Sequence, residues 1–243
     1  MNNKSLIILT LSIILNILFL CIGIIFTNKR GGLSYIIQML KISQSQTDNY
    51  PAYYWHKKDQ YEKLPKSSSD IIMLGDSITD EGEWVELLQN PQIKNRGISG
   101  DTIERVVYRL DTIIQAKPKQ LFLMIGVNDL VNDKKTIRQT AIAYEKLLEK
   151  LQQEIPLTEI FLQSILPVQN EVYIYWQDNK NIIELNLKIQ ELASKFNYKY
   201  LDIHVHLLDS QQQLDLKYTS DGLHLNGDGY LVWKKIIDKH INK

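Results

Sequence analysis

The most informative segment for the fold is Ile71-Ile72-Met73-Leu74-Gly75-Asp76-Ser77-Ile78-Thr79, in which a short apolar run ends at a glycine and a serine follows two residues later. The same pattern returns at residues 121–126, where a second apolar run ends at a glycine. Short apolar runs bounded by Gly or Pro are typical of parallel strands that are buried on both faces. Further strands are predicted at residues 160–162 and 200–203, and residues 92–95 fit a less apolar strand.

Amphipathic helices separate the predicted strands. In four segments apolar residues recur at the spacing i, i+3, i+4 and i+7, which is the pattern of a helix with one buried face. This alternation of strands and helices predicts an α/β protein, a three-layer α/β/α sandwich around a parallel sheet. Ligands of such sheets bind beyond the carboxyl ends of the strands. The four predicted helices cover residues 103–114, 137–151, 182–196 and 230–241, the last with Asn226 as its N-cap.

The composition excludes several classes of protein. The chain has 243 residues, of which 44% are hydrophobic and 23% are charged, as is typical of a globular protein rather than a disordered one. Its 28 basic and 28 acidic residues balance, whereas a nucleic-acid-binding protein usually carries a basic excess, so no nucleic-acid partner is expected. The single cysteine, Cys21, excludes a disulfide within the chain and a cysteine-based zinc site.

An uncharged apolar segment precedes the predicted domain. Residues 6–26 read LIILTLSIILNILFLCIGIIF, and at about 1.5 Å per residue such a helix spans the ~30 Å hydrocarbon layer of a membrane. A secretory signal peptide has a shorter apolar region and an A-x-A-like cleavage site, which is missing here. A lipid-modified Cys21 is disfavoured because the preceding Leu20 is not small. We therefore predict a transmembrane anchor at residues 6–27 behind a flank of residues 1–5, with a cleaved signal and a lipid-modified cysteine as the alternatives.

The charges around this segment do not decide its orientation. Lys4 precedes it, while Lys29 and Arg30 follow it, so the positive-inside rule has nearly balanced inputs. Because a lone N-terminal anchor commonly tethers an exported domain, we expect a single-pass protein of the cell membrane with an extracytoplasmic domain. Residues 28–69 are then a linker with a peripheral helix, and residues 70–243 are the globular domain.

A serine, a histidine and an aspartate stand at positions where a parallel sheet places its site. Ser77 follows a strand on a tight turn, although a serine at such a position, taken alone, is more often a helix cap. A serine hydroxyl needs a base to become a good nucleophile, and His224, just before the last helix, can be that base. Asp221, three residues earlier, can hold the other ring nitrogen. A lone histidine is more often structural than catalytic, so the three residues indicate a catalytic site only in combination.

Two further segments suit the binding of a negative charge. Residues 95–102 contain two glycines, which allow the backbone to approach a ligand closely. A phosphate-binding loop is a rival interpretation, although the Lys-Ser/Thr ending of a P-loop is missing. Asn128, in the stretch Gly126-Val127-Asn128-Asp129, can donate its amide N–H to a developing oxyanion. On its own it would more often be a turn residue or a helix cap.

In this order, the segments resemble the sequence blocks of the SGNH/GDSL hydrolase family, over residues 70–240. The first block has Ile78 where the family's name implies Leu, and the position is apolar in both cases. The branch most similar contains platelet-activating-factor acetylhydrolase-like enzymes and lysophospholipase/thioesterase-type esterases. The matching blocks are Gly75-Asp76-Ser77 (first), residues 97–102 with the sequence GISGDT (second), Gly126-Val127-Asn128-Asp129 (third) and Asp221-Gly222-Leu223-His224 (fifth).

The resemblance implies a flavodoxin-like sheet and a catalytic triad of Ser77, His224 and Asp221. It further implies an oxyanion hole formed by the backbone N–H groups of Ser77 and Gly100 and by the side chain of Asn128. No metal or organic cofactor is expected. The implied activity is hydrolysis of a short-chain or acetyl ester on a lipid or glycan through an acyl-enzyme intermediate. The alternatives are an O-acyltransferase acting on cell-surface glycans and a catalytically silent carbohydrate-binding module on the same fold.

Overall fold

A computed structural model describes residues 10–19, 25, 32, 50–172 and 178–241. The chain divides into two compact units, Met1–Pro51 and Ala52–Lys243. In the first unit residues 10–19 are helical, and the rest of the predicted anchor at residues 6–27, apart from Ile25, lies outside the described residues. The described part of the chain contains no helix whose length and apolar character would let it cross a membrane. The anchor therefore stays a prediction.

The second unit is built on a sheet of five described strands: β1 (Ile71–Gly75), β2 (Ile93–Gly97), β3 (Gln120–Met124), β4 (Glu159–Gln163) and β5 (Lys199–Leu201). They lie in the order β2-β1-β3-β4-β5, and every neighbouring pair is parallel. In this flavodoxin-like order the direction of chain progression reverses between β1 and β3. The prediction of an α/β fold with a parallel sheet is confirmed.

Helices cover both faces of this sheet. All five residues of β1 and of β3 are buried, although the side chains of a strand point alternately to opposite faces. The described helices of this unit are α1 (Ala52–Lys63), α2 (Ser77–Asp80), α3 (Trp84–Leu88), α4 (Ile103–Tyr108), α5 (Asp111–Ala116), α6 (Val127–Val131), α7 (Ile137–Glu154), α8 (Asn179–Phe196) and α9 (Gly227–Ile237). Helix α7 packs against α4 and α8, and α3 packs against α9. Between the strands, the rings of Phe122 and Phe161 stack with centroids 4.4 Å apart.

The prediction of one helix over residues 103–114 is wrong, because the structure has two helices there, α4 and α5. The break falls at Arg109, whose φ of −108° and ψ of 12° leave the helical range. The buried guanidinium donates through Nε to Asp101 Oδ2 at 2.7 Å. Its Nη2 donates to the carbonyl oxygens of Gly75 at 3.1 Å and Arg96 at 2.8 Å. Since these bonds tie Arg109 to the ends of β1 and β2, the chain turns there instead of continuing as a helix.

Helix α1 lies within the predicted linker at residues 28–69, and it belongs to the second compact unit. Its Tyr54 and Tyr61 are buried against that unit. The second compact unit thus includes an element that precedes residue 70.

Helix α9 begins where the sequence predicts, because the side chain of Asn226 accepts a hydrogen bond from the N–H of Gly229 as an N-cap.

Candidate active site

Ser77 follows β1 by two residues and opens helix α2. Asp76 caps this helix, since its Oδ1 accepts a hydrogen bond from the N–H of Ile78 at 3.1 Å. The exit from the strand is tight, because a Cβ at Gly75 would lie 2.3 Å from the carbonyl oxygen of Met124 in β3. A glycine is therefore required there. The turn brings Ser77 to the carboxyl edge of the sheet, beside the point where the strand order reverses.

The structure brings together the serine, the histidine and the aspartate, although 147 residues separate the first two. Oγ of Ser77 lies 2.9 Å from Nε2 of His224, and Nδ1 of His224 lies 2.6 Å from Oδ2 of Asp221. Ser77 is 8% exposed, whereas the side chains of His224 and Asp221 are 28% and 47% exposed. The three groups form a hydrogen-bonded relay that is open to solvent at its carboxylate end.

Asp221 is held by its own loop. Its Oδ1 accepts hydrogen bonds from the N–H groups of Leu223 at 2.9 Å and His224 at 2.8 Å, which leaves Oδ2 for the imidazole. Gly222 completes the turn with a φ of 85° and donates its N–H to the hydroxyl of Thr219. Burial acts to raise the pKa of Asp221, but the hydrogen bonds from His224 and the backbone outweigh it and hold the pKa below its ordinary value. Asp221 is therefore ionised at neutral pH and can stabilise a protonated imidazole.

Two of the three predicted oxyanion donors, Gly100 and Asn128, follow β2 and β3, the two strands that flank β1. Residues 97–102, which we call the glycine loop, begin at the last residue of β2, and Gly100 in this loop has a φ of 81°. Asn128 follows β3 and is 7% exposed, and its Nδ2 donates to the carbonyl oxygen of Asp101 in the glycine loop at 2.9 Å. The side chain of Asn132 donates to Oδ1 of Asn128 at 2.8 Å, so the orientation of the amide is fixed.

Three buried carboxyl groups interact beneath the Ser77 turn. Asp76 is 1% exposed, and burial, aided by the charge of Asp101, raises its pKa to about 7. Burial raises the pKa of Asp101 to about 6 in spite of its ion pair with Arg109. The pKa of Asp129 is also raised by burial, although Lys135 pairs with it at 3.0 Å. With a pKa of about 7, Asp76 is partly protonated at neutral pH, which limits the negative charge next to Ser77.

Sequence reasoning did not find two features of this site. Oε1 of Glu81 lies 3.8 Å from Nε2 of His224. Asp80 accepts hydrogen bonds from helix α1, an element that the sequence places outside the domain. An acidic residue at the end of a short helix has no pattern that distinguishes it from an ordinary surface residue. Only the tertiary contacts reveal these positions.

Comparisons with known proteins identify the family of the chain. The model of the GDSL-like Lipase/Acylhydrolase family matches residues 73–232. The chain is 30% identical over 178 residues to the N-acylneuraminate cytidylyltransferase of Escherichia coli, a match that covers 72% of this chain and 40% of that protein. It is 28% identical over 167 residues to the platelet-activating factor acetylhydrolase IB subunit alpha2 of Homo sapiens, covering 66% of this chain and 71% of that subunit.

A solved structure shares the fold. A Streptococcus pneumoniae protein described as a platelet activating factor superposes with a TM-score of 0.70 at 27% identity, covering 85% of this chain and 98% of that one. The chain spans 40% of the length of its Escherichia coli relative, so the likeness concerns a part of that protein. The family match, in contrast, runs from the middle of β1 through the other four strands and includes Ser77 and His224. The chain therefore belongs to the GDSL-like lipase/acylhydrolase family, a family of carboxylic ester hydrolases.

Proposed function

We propose that the protein is a serine esterase that hydrolyses a short acyl ester, such as an acetyl ester, on a lipid or glycan. The relay from Ser77 through His224 to Asp221 is the observation that carries this proposal. A serine hydroxyl near neutral pH is a poor nucleophile without a base. Nε2 of His224, 2.9 Å from Oγ, is within hydrogen-bond reach of the proton that must be removed. The name of the human relative, an acetylhydrolase, supports a small acyl group.

In the first step, Oγ of Ser77 forms a bond to the carbonyl carbon of the ester while its proton passes to Nε2 of His224. The carboxylate of Asp221 stabilises the imidazolium. When the tetrahedral intermediate collapses, the bond between the acyl carbon and the alcohol oxygen breaks, and the imidazolium gives its proton to that oxygen. The alcohol leaves, and the acyl group remains as an ester of Ser77.

In the second step, a water molecule attacks the acyl carbon and gives a proton to His224. The bond to Oγ of Ser77 then breaks, Oγ takes the proton back, and the carboxylic acid leaves. A sugar hydroxyl in the place of this water would make the protein an O-acyltransferase that uses the same residues.

The negative oxygen of each intermediate accepts hydrogen bonds from the N–H groups of Ser77 and Gly100 and from the amide of Asn128. An amide nitrogen carries two hydrogens, and the bond from Asn128 to Asp101 uses one of them. The second hydrogen is therefore left for the substrate. Donors that are held in place before the substrate arrives stabilise the developing charge without reorganising during the reaction.

The test is hydrolysis of p-nitrophenyl acetate by the full-length chain and by its Ser77→Ala variant. We expect Ser77→Ala to abolish both turnover and labelling by a fluorophosphonate probe, because both need the hydroxyl group. Ser194→Ala is the matched control, since Ser194 is an exposed serine of α8 whose hydroxyl donates to the carbonyl oxygen of Gln190. Retained turnover in Ser77→Ala would reject the assignment of the nucleophile.

Two further outcomes separate the alternatives. A wild-type chain that neither turns over the ester nor reacts with the probe would favour a silent carbohydrate-binding module. Transfer of the acetyl group to an added sugar acceptor, in preference to water, would favour an O-acyltransferase.

We also propose that residues 6–27 anchor the protein in the cell membrane and that the catalytic domain is extracytoplasmic. This segment carries no charged side chain. In cells that express the full-length chain, we expect the protein to stay with the membranes after an alkaline carbonate wash and to be cut by protease added outside. Release by the wash would contradict the anchor. The described part of the segment exposes the apolar side chains of Leu11, Ile13, Ile14, Leu15, Ile17, Leu18 and Phe19.

A further inference from the structure

Helix α1 lies outside the residues that the family model matches, because the match begins at residue 73. It is nevertheless an integral part of the catalytic unit, since its Tyr54 and Tyr61 are 1% and 6% exposed. The buried side of this helix is aromatic and hydroxylated rather than aliphatic. The family model therefore does not describe the contacts of this helix.

Asp80, the last residue of α2, joins α1 to the glycine loop. Its Oδ2 accepts a hydrogen bond from the hydroxyl of Tyr53 at 2.6 Å, and its Oδ1 pairs with Nζ of Lys57 at 2.7 Å. The same Oδ2 accepts hydrogen bonds from the backbone N–H of Ser99 at 3.2 Å and from its hydroxyl at 3.1 Å. The side chain of Asp80 is 4% exposed, so the carboxylate depends on these partners to compensate for its burial.

Lys57 carries a permanent positive charge beside Asp80. Its partial burial acts to lower its pKa, but the hydrogen bond and the charge of Asp80 outweigh this effect, and the pKa is raised. The ammonium group therefore stays protonated over the pH range in which an esterase works. One charged pair thus links α1 to the helix that carries Ser77.

Two tyrosines of α1 bind the glycine loop and helix α4, which follows it. The hydroxyl of Tyr61 donates to the carbonyl oxygen of Gly97, at the start of the loop, at 2.7 Å. The hydroxyl of Tyr54 donates to the carbonyl oxygen of Arg105 at 3.1 Å. Nη1 of Arg105 in turn donates to the carbonyl oxygen of Gly100 at 2.9 Å. Tyr61 therefore holds the loop directly at Gly97, and Tyr54 holds it indirectly, through Arg105, at Gly100.

These contacts bracket the N–H group of Gly100. This N–H belongs to the peptide unit between Ser99 and Gly100. The N–H of Ser99, before that unit, is held by Asp80, and the carbonyl of Gly100, after it, is held by Arg105. The two bonds hold the peptide units on either side, and with them the Cα atoms of Ser99 and Gly100. The position of the Gly100 N–H, which lies between these two Cα atoms, is therefore set before any substrate binds.

We propose that Tyr53 and Lys57 of helix α1 are positioning residues for the oxyanion hole, acting through Asp80 and Ser99 on the N–H of Gly100. This inference rests on the proposed esterase function. It gives the helix a part in transition-state stabilisation without any contact to the substrate.

The test compares Tyr53→Phe, Lys57→Met and the double variant in the full-length chain. Because loss of a whole oxyanion donor costs about 10²- to 10³-fold in kcat, loss of its alignment in the double variant is expected to cost about tenfold. KM for p-nitrophenyl acetate should be unchanged, since the ester substrate carries no oxyanion. The affinity for a trifluoromethyl ketone, which forms an oxyanion with Ser77, should fall by the same factor as kcat.

The controls separate positioning from mere stability. Lys63→Met removes a lysine of the same helix that pairs with Asp59 at 2.6 Å and makes no described contact with the glycine loop, so it should behave like the wild type. Lys57→Arg keeps the charge opposite Asp80 and should restore most of the activity. Tyr53→Phe deletes a single oxygen from a 45% exposed residue, so this variant should fold even if the double variant does not.

Each outcome decides one of the two proposals. An inactive wild type, or an active Ser77→Ala, would overturn the esterase function itself. If the wild type is active and the folded Tyr53→Phe, Lys57→Met and double variants have unchanged kcat, the positioning role alone is overturned. A fall in kcat that matches the unfolded fraction, with unchanged affinity for the trifluoromethyl ketone, would also overturn it by showing that α1 is only structural.

Discussion

Replacing Asp221 with asparagine separates the charge of the proposed triad from the fold of its loop. Asparagine keeps an oxygen that can accept hydrogen bonds from the N–H groups of Leu223 and His224, so the turn retains both bonds. The NH₂ group in the place of Oδ2 donates instead of accepting, and it faces Nδ1 of His224. The imidazole must then carry its proton on Nε2, the atom that is required to accept the proton of Ser77.

The size of the loss follows from the separation and the exposure of the pair. Two unit charges about 4 Å apart attract each other by about 4 kcal/mol near a protein surface and by about 1 kcal/mol in water. Because the side chain of Asp221 is 47% exposed, a discounted value of about 2–3 kcal/mol applies to its stabilisation of the imidazolium. At about 1.4 kcal/mol for each factor of ten, this corresponds to a loss of about 30- to 150-fold in kcat/KM. The wrong tautomer adds to this loss, so the range is a lower limit.

Steady-state hydrolysis of p-nitrophenyl acetate measures the effect, and circular dichroism verifies the fold of the variant. Asp228→Asn is the matched control, because Asp228 is an exposed carboxylate in the first turn of α9, four residues after His224. It should retain wild-type kinetics. A folded Asp221→Asn with near wild-type kcat/KM would refute the reasoning, since the carboxylate would then contribute neither charge nor orientation to His224.

Three further predictions concern the surroundings of the relay. Asn128→Ala should lower kcat by about 10²- to 10³-fold with little change in KM, because it removes a proposed oxyanion donor. Steady-state kinetics measure this change, and an effect on KM alone would contradict the prediction. Asp76→Asn should flatten the pH dependence of stability. Burial raises the pKa of Asp76 from 3.8 to about 7, so the wild type is most stable with this carboxyl protonated and loses that contribution as the pH rises from about 4 to about 7. Thermal melts should therefore show an advantage of the variant that grows over this pH range and then levels off, and parallel curves would exclude the effect. Gly97→Ala should destabilise the protein by more than the ~1–3 kcal/mol of ordinary overpacking. The reason is that a Cβ would lie 2.2 Å from the backbone nitrogen of Asp80. Unfolding in urea measures this loss, and an unchanged unfolding midpoint would show that the turn can move.

The sequence predicted the five strands and the longer helices, because burial leaves a local pattern in the chain. The apolar runs at residues 71–74 and 121–125 correspond to β1 and β3, and both are buried on two faces. The candidate site residues were also found locally. Asp221 and His224 stand three residues apart on one loop, and Ser77 stands directly after a strand. Parallel strands end at one edge of a sheet, so the topology brings these local signals together.

Which atoms the buried groups meet depends on the contacts of the folded chain, and the sequence pattern does not show them. Arg109 stands in a periodic helical pattern, yet the helix breaks there because its guanidinium binds the ends of β1 and β2. Tyr53 reaches Asp80 across 27 residues, and no spacing in the sequence predicts that bond. The raised pKa of Asp76 likewise depends on its complete burial. Hydrophobic periodicity records which side of an element is buried, whereas hydrogen bonds and pKa values depend on the partners that the fold supplies from distant parts of the chain.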